Sequence, residues 1–107
     1  MSVTFRRVLA SIESGEVRVS AHGYNELAED DIEVRDVMSG IAEAIVVEDY
    51  PNYAKGPLVL VLQRDTSGNP IHVVWGIPKG MDLPAVLVTA YRPDPDHWSN
   101  DFTERKR

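Results

Sequence analysis

Four polar side chains in the second half of the chain are of types that can transfer protons or bind developing negative charge. His72 stands in the middle of a hydrophobic run, and Thr89, Tyr91 and Arg92 follow in a second such run. Histidine exchanges protons near neutral pH, tyrosine can donate one, and arginine stabilises the charge that develops on a phosphate. If these side chains meet, they suit general acid–base cleavage of a phosphodiester.

His22 is a second histidine with a defined place in the pattern. It follows Ser20, whose residue type caps helix N-termini, so it falls in the first turn of a predicted helix from about Ala21 to Ala28. If that helix packs across the strands, His22 reaches the patch around His72 and supplies an acid beside a base. The predicted catalytic set is therefore His22, His72, Thr89, Tyr91 and Arg92.

Each of these residues also has a purely structural interpretation. His72 can hydrogen-bond Thr89 inside the core, Tyr91 can be a packing residue, and His22 can bond a carbonyl at the helix start. The sequence leaves both interpretations open. It predicts no metal and no cofactor, because the histidines do not fall at ligand spacing and no phosphate loop, serine nucleophile motif or dinucleotide fingerprint is present.

The elements that must position these residues form a predicted antiparallel sheet. β-Branched and aromatic residues recur at period two in four segments, which is typical of strands. The connections between them are short and rich in Pro, Gly and Asn, which suits hairpins, whereas parallel pairing needs a longer crossover. The four predicted strands cover about residues 43–50, 58–64, 70–77 and 85–91.

The loop between the last two predicted strands sets their register. A simple hairpin across residues 78–84 places His72 opposite Thr89, with Tyr91 on the same face. Because side chains alternate along a strand, Trp75 is then expected on the opposite face.

Apolar residues at helical spacing precede the sheet. They predict one helix over Thr4–Ser14, the helix that carries His22, and a third short helix that ends at Gly40. Residues 17–19 between the first two helices are predicted to be an extended link. The predicted fold class is α+β, with two to three short N-terminal helices packed on a four-stranded antiparallel meander.

Composition limits the class of protein. The chain has 107 residues, 43% hydrophobic and 26% charged, which predicts a single domain over residues 1–107. The lack of cysteine excludes disulfides and thiolate zinc sites and fits a reducing cytoplasm. No apolar run approaches the ~20 residues that span a bilayer, so no membrane association is expected. The net charge of −6 disfavours RNA as a partner.

Two further segments predict how the sheet is covered. Residues 58–62 are apolar without alternation, so both faces of that strand should be buried. Either the helices divide between the faces or a second copy of the protein covers one of them, and we favour the homodimer. Two X-Pro steps in residues 91–98 predict that the chain leaves the sheet and folds Trp98 back as an anchor, followed by Phe102 and Arg105.

The order of several short motifs also carries a resemblance. The motifs are Ser20 with His22, Ile32, Asp36 with Val37, Gly40, Glu48–Pro51, Pro70–Val74, Thr89–Asp94 and Trp98. Together, over about residues 17–105, they resemble the domain of unknown function 4258 family. That family is similar to small bacterial toxins of the RelE and barnase-like ribonuclease group. The resemblance implies helices on an antiparallel sheet and a toxin component encoded beside a zinc-finger antitoxin.

Two positions depart from the family pattern. Members usually carry arginines where this chain has Glu26 and Asp30, so charges suited to contacts with RNA are reversed in sign. Two functions therefore remain. One is a toxin-like ribonuclease that acts on RNA through His22 and His72 with Tyr91 or Arg92 and is inhibited by an antitoxin-like protein. The other is a non-catalytic protein-interaction module with structural histidines.

Overall fold

The computed structural model describes residues 2–106 and confirms the α+β class. Helices and strands are packed around one hydrophobic core. The elements are α1 (Val3–Glu13), β1 (Val17–Val19), α2 (Ala21–Glu29), α3 (Val34–Gly40), a 3₁₀ turn (Ile41–Glu43), β2 (Ile45–Tyr50), β3 (Leu58–Arg64), β4 (Pro70–Gly76) and β5 (Ala85–Tyr91).

Serine side chains fix the starts of the first two helices. Ser2 Oγ accepts a hydrogen bond from the backbone N–H of Phe5 at 3.0 Å, and Ser20 Oγ accepts one from Gly23 at 2.9 Å. Each bond satisfies a donor that the helix itself leaves unpaired. None of the helices between residues 2 and 106 combines the length and the apolar character needed to cross a membrane.

The sheet has five strands and is mixed, so the prediction of a four-stranded antiparallel sheet is only partly correct. The strand order is β1-β5-β4-β3-β2, and β2 to β5 form the predicted antiparallel meander. The segment predicted to be a link is strand β1, which pairs parallel with β5, Val17 lying opposite Ala85. Three residues are too few to show a strand period, and the parallel pairing depends on a long crossover that local patterns do not reveal.

The register between β4 and β5 differs from the predicted hairpin. His72 lies opposite Tyr91, and Thr89 lies opposite Val74. The prediction that His72 and Thr89 are direct neighbours is therefore wrong.

The difference between the predicted and the observed register arises at two places. Beside the loop, Gly76 pairs with Val86, one residue beyond the simple hairpin count, and a bulge that leaves Val88 unpaired adds a second residue. A bulge inserts one residue into one strand of a pair, which a count of loop residues does not include.

All three helices pack on the face of the sheet that carries Trp75. Trp75 is fully buried and lies on the face opposite His72, as expected. Burying an indole of this size removes a large apolar area from water. The core around it consists of Phe5, Val8, Leu27, Ile32, Val37, Ile41, Val59, Val61, Ile71, Val73, Trp75, Ile77, Ala85, Leu87 and Ala90.

The other face is partly covered by residues 93–106, which we call the C-terminal strap. Trp98 in this strap is 4% exposed and packs against His72, which confirms the predicted anchor. Leu60 and Leu62 of β3, on the same face, are buried within one chain. These two leucines therefore need no second copy to cover them, and the homodimer stays a prediction.

Candidate functional site

His72 is at the centre of the candidate site and is sealed from solvent. Its relative exposure is 0%. The Nε2 atom lies 2.8 Å from the carbonyl oxygen of Phe102, and the Nδ1 atom lies 3.3 Å from the hydroxyl of Tyr91. Because a carbonyl oxygen can only accept, Nε2 carries the proton, and Nδ1 accepts from the Tyr91 hydroxyl. The protein therefore uses both ring nitrogens.

Aromatic rings enclose the imidazole on two sides. Trp98 meets it edge to face, with ring centroids 4.4 Å apart at 87°, and Tyr91 meets it at 5.4 Å and 76°. Both arrangements are favourable for rings with a negative face and a positive edge. Burial lowers the pKa of His72 below its ordinary value, an effect that the bond to Phe102 partly offsets. The ring is therefore neutral at pH 7.

A carboxylate on the edge strand β2 ties the strap to the sheet. Arg105 donates from Nε and Nη2 to the two oxygens of Glu48, at 2.7 and 3.0 Å, and the Tyr50 hydroxyl donates to Glu48 at 2.7 Å. The Arg105 guanidinium also lies 4.7 Å from the centroid of the Trp98 ring. The hydrogen bond from Arg105, followed by that from Tyr50, lowers the pKa of Glu48. Glu48 is therefore an ionised anchor and a poor proton acceptor.

Arg92, predicted as a site residue, is bound elsewhere. Its guanidinium donates to the Asp65 carboxylate at 2.8 Å, and its backbone N–H donates to the Asp30 side chain at 2.7 Å. Asp65 itself accepts from the backbone of Asn69, the main cause of its lowered pKa. The arginine therefore holds the β3–β4 turn and the end of α2, and does not join His72.

The structure does not bring His22 to His72. His22 is exposed, and its Nε2 atom lies 3.5 Å from the carboxylate of Glu26. Leu27 of the same helix is buried in the core on the Trp75 face, so α2 cannot cross the face that carries His72. The condition for bringing the two histidines together, that α2 packs across the face of His72, is therefore not met, and any catalytic role of either one stays a prediction.

Thr89 shares the sheet face of Tyr91 but does not bond His72. It is half-buried opposite Val74, and the hydrogen bonds of the imidazole within residues 2–106 go to Tyr91 and Phe102. Of the five predicted residues, the structure thus joins two, His72 and Tyr91. The residues that sequence reasoning missed are Glu48, Tyr50 and the carbonyl of Phe102.

Proton transfer to a ligand requires a group with a free lone pair or proton near the surface. His72 has neither, and burial raises the pKa of Tyr91 above its ordinary value, which keeps that hydroxyl protonated. No three histidine or carboxylate side chains within residues 2–106 come together in a way that could hold a metal ion. The contacts of this cluster therefore hold the C-terminal strap against the sheet.

In the comparison with known proteins, one family model matches most of the chain. The model described as Domain of unknown function (DUF4258) matches residues 19–92, more than half of the chain. The match contains all five predicted site residues and ends before Trp98. No curated protein and no solved structure matches the chain.

Proposed function

We propose that this chain, which belongs to the DUF4258 family of domains of unknown function, is a non-catalytic protein-interaction module. The observation that supports this function most strongly is the sealed imidazole of His72. A general acid or base must come within hydrogen-bond reach of the group that it serves. Both nitrogens of His72 are occupied inside the protein, and Trp98 covers the ring.

Charge supports the same conclusion. The net charge is −6, and α2 presents Glu26 near its exposed histidine. Asp30 has a structural role, since it accepts the backbone N–H of Arg92. A polyanion such as RNA gains affinity from contacts with basic side chains, and the surface of α2 offers few of them. A protein partner does not need that cationic field.

A toxin-like ribonuclease, related to the RelE and barnase-like group and held by an antitoxin-like partner, is the second candidate. One observation favours it: the half-buried Tyr91 lies on the same face as the charged Arg105, which acts electrostatically on its hydroxyl. Against it, Glu48 is bound to Arg105, and His22 is an exposed residue of α2, which packs on the opposite face of the sheet. The interaction module needs no such catalytic group, and its partner is either another protein or a second copy of this chain.

Incubation with a mixed RNA pool tests the choice between these candidates. We expect the purified protein, freed from any partner, to leave the RNA intact between about pH 5 and pH 8, because the lone pair of its buried histidine is already occupied by the Tyr91 hydroxyl. A ribonuclease would instead cleave the pool, and His22→Ala or His72→Ala would slow it about 100-fold or more.

The exposed histidine at position 97 supplies the control. His97→Ala should leave any cleavage unchanged, since the ring is exposed and its Nε2 atom lies 3.5 Å from the Asp94 carboxylate of its own turn. Cleavage by the wild type that survives His97→Ala, but is lost in a folded His22→Ala or Tyr91→Phe variant, would overturn the interaction module in favour of the enzyme. Circular dichroism of each variant separates lost chemistry from lost folding.

A further inference from the structure

The C-terminal strap leaves open one end of the sheet face that carries His72. The strap contacts β4 at His72, and Gly76 lies about 13 Å further along the strand at the usual rise per residue. A groove of about 450 Å³ lies over this end, and we call it the end groove. Its lining includes Arg18, Tyr53, Lys55, Leu58, Gly76 and Val88.

Gly76 keeps the floor of the end groove low. A Cβ atom at this position would lie 2.8 Å from Leu58 Cδ2 and 3.4 Å from Val88 Cγ2. Those two neighbours are aliphatic, and the Leu58 side chain occupies the space that a side chain at position 76 would need, so the floor is a closely packed apolar surface. Such a floor suits an apolar side chain from another molecule, whose burial is favourable in proportion to the area covered.

The wall of the groove is held in place by backbone contacts. The carbonyl of Pro57 accepts the N–H of Ile77 at 3.1 Å, and the carbonyl of Lys55 accepts the N–H of Lys79 at 3.3 Å. Gly56, with φ of +120°, sits so close to the Ile77 carbonyl that no other residue would fit. The wall is therefore formed before a ligand binds, which reduces the ordering cost of binding.

Exposed apolar side chains continue from the end groove to its neighbour. Tyr53, 49% exposed, lines both the end groove and a second groove of about 520 Å³, which also contains Met81, 50% exposed. Contiguous apolar surface with a polar rim marks interaction sites on soluble proteins. An aromatic ring between two grooves is also the kind of residue that anchors protein interfaces.

The rim of the end groove is positive although the protein as a whole is acidic. Arg18 and Lys55 line the end groove, and no aspartate or glutamate does. Lys79 lines the neighbouring groove together with Asp82, which is paired with Arg7 at 3.5 Å. None of the ion pairs found within residues 2–106 involves Arg18, Lys55 or Lys79. A ligand that brings carboxylates would therefore meet positive charge that the protein does not neutralise itself.

We propose that the end groove binds a peptide segment of a partner protein in which apolar side chains are flanked by carboxylates. The apolar residues fill the floor beside Gly76, and the carboxylates meet Arg18 and Lys55. This inference rests on the proposed interaction function and names the partner chemistry of that function. RNA fits less well, because two rim cations on a protein of net charge −6 neutralise few phosphates.

Labelled probes of defined composition test the proposal by fluorescence anisotropy. The first probe is a pool of short synthetic peptides built from Leu, Ile, Phe, Asp and Glu. The second pool has Lys and Arg in place of the acids, and the third probe is a short oligouridylate. We expect the acidic pool to bind, and the basic pool to bind at least about 10-fold more weakly because rim charges of the wrong sign repel it.

Groove variants locate the binding. Arg18→Glu combined with Lys55→Glu should weaken binding of the acidic pool about 10-fold, since both rim charges change sign. Gly76→Ala displaces the Leu58 side chain from the floor without changing charge, and, in a variant that circular dichroism shows to be folded, it should weaken binding of the acidic pool several-fold. Arg6→Glu, a charge reversal at an exposed position of α1, should leave binding unchanged.

Each outcome decides one statement. Failure of the acidic pool to bind, or binding that ignores both groove variants, overturns the proposal, as does tighter binding of the oligouridylate. The RNA cleavage assay on the same preparation separates this failure from that of the proposed function. Intact RNA with no groove-dependent peptide binding removes only the end-groove proposal, whereas cleaved RNA removes the interaction function on which it rests.

Discussion

Replacing His72 with alanine is expected to lower the free energy of unfolding by about 3–5 kcal/mol. The change deletes a fully buried ring that Trp98 packs against, and it leaves a cavity. It also leaves the Phe102 carbonyl and the Tyr91 hydroxyl without their partner. A loss of this size is a large part of the stability of a small domain. Urea unfolding followed by circular dichroism measures it.

The other two histidines are matched controls for this substitution. His22 and His97 are both exposed, and each lies 3.5 Å from a carboxylate of its own local segment. Substitutions at exposed positions of this kind usually change the free energy of unfolding by no more than about 0.5 kcal/mol. If His72→Ala costs no more than His22→Ala and His97→Ala, then His72 does not have the structural role described above.

Replacing Trp98 with alanine is expected to cost a similar amount, about 3–5 kcal/mol. The indole is 4% exposed, and its ring centroid lies 4.4 Å from that of His72. The Arg105 guanidinium lies 4.7 Å from the centroid of the Trp98 ring. Removing it detaches the strap from the sheet and admits water to the imidazole. We therefore expect two results together: reduced stability in urea, and a His72 ring that reacts with diethyl pyrocarbonate, which the wild-type ring resists.

Tyr24 offers a control for the loss of an aromatic ring. It is an exposed aromatic residue on α2, so Tyr24→Ala should change neither stability nor the reactivity of His72 appreciably. A Trp98→Ala variant that unfolds like Tyr24→Ala, with His72 still protected, would show that the strap does not seal the site.

The meander was predictable because its signals are local. The strands predicted at 58–64 and 85–91 coincide with β3 and β5, since runs of strand-forming residues end at turn residues on both sides. Strand β1 was missed because its pairing with β5 joins distant parts of the chain. The bulge at Val88 was missed because no residue type requires it there.

The candidate site was predictable only where one strand pair determines it. The alternation of β4 and β5 places His72 and Tyr91 on one face, even though the predicted register was wrong. The acceptor for His72 Nε2 is a backbone carbonyl, which every residue has and which no sequence pattern marks. The pair of Glu48 and Arg105 joins an edge strand to the strap, and spacing along the chain carries no sign of it.

The most direct measurement of the sealed imidazole is a titration of the histidine ring nitrogens by NMR with ¹⁵N-labelled protein, from about pH 5 to pH 8. We predict that His72 stays a single neutral tautomer, with Nε2 protonated and Nδ1 unprotonated, to a pH below the ordinary histidine value of about 6.5, because burial lowers its pKa. A His72 ring that gains its proton at or above about pH 6.5, or that exchanges between tautomers, would contradict the sealed structural histidine and return the ring to the list of acid–base groups.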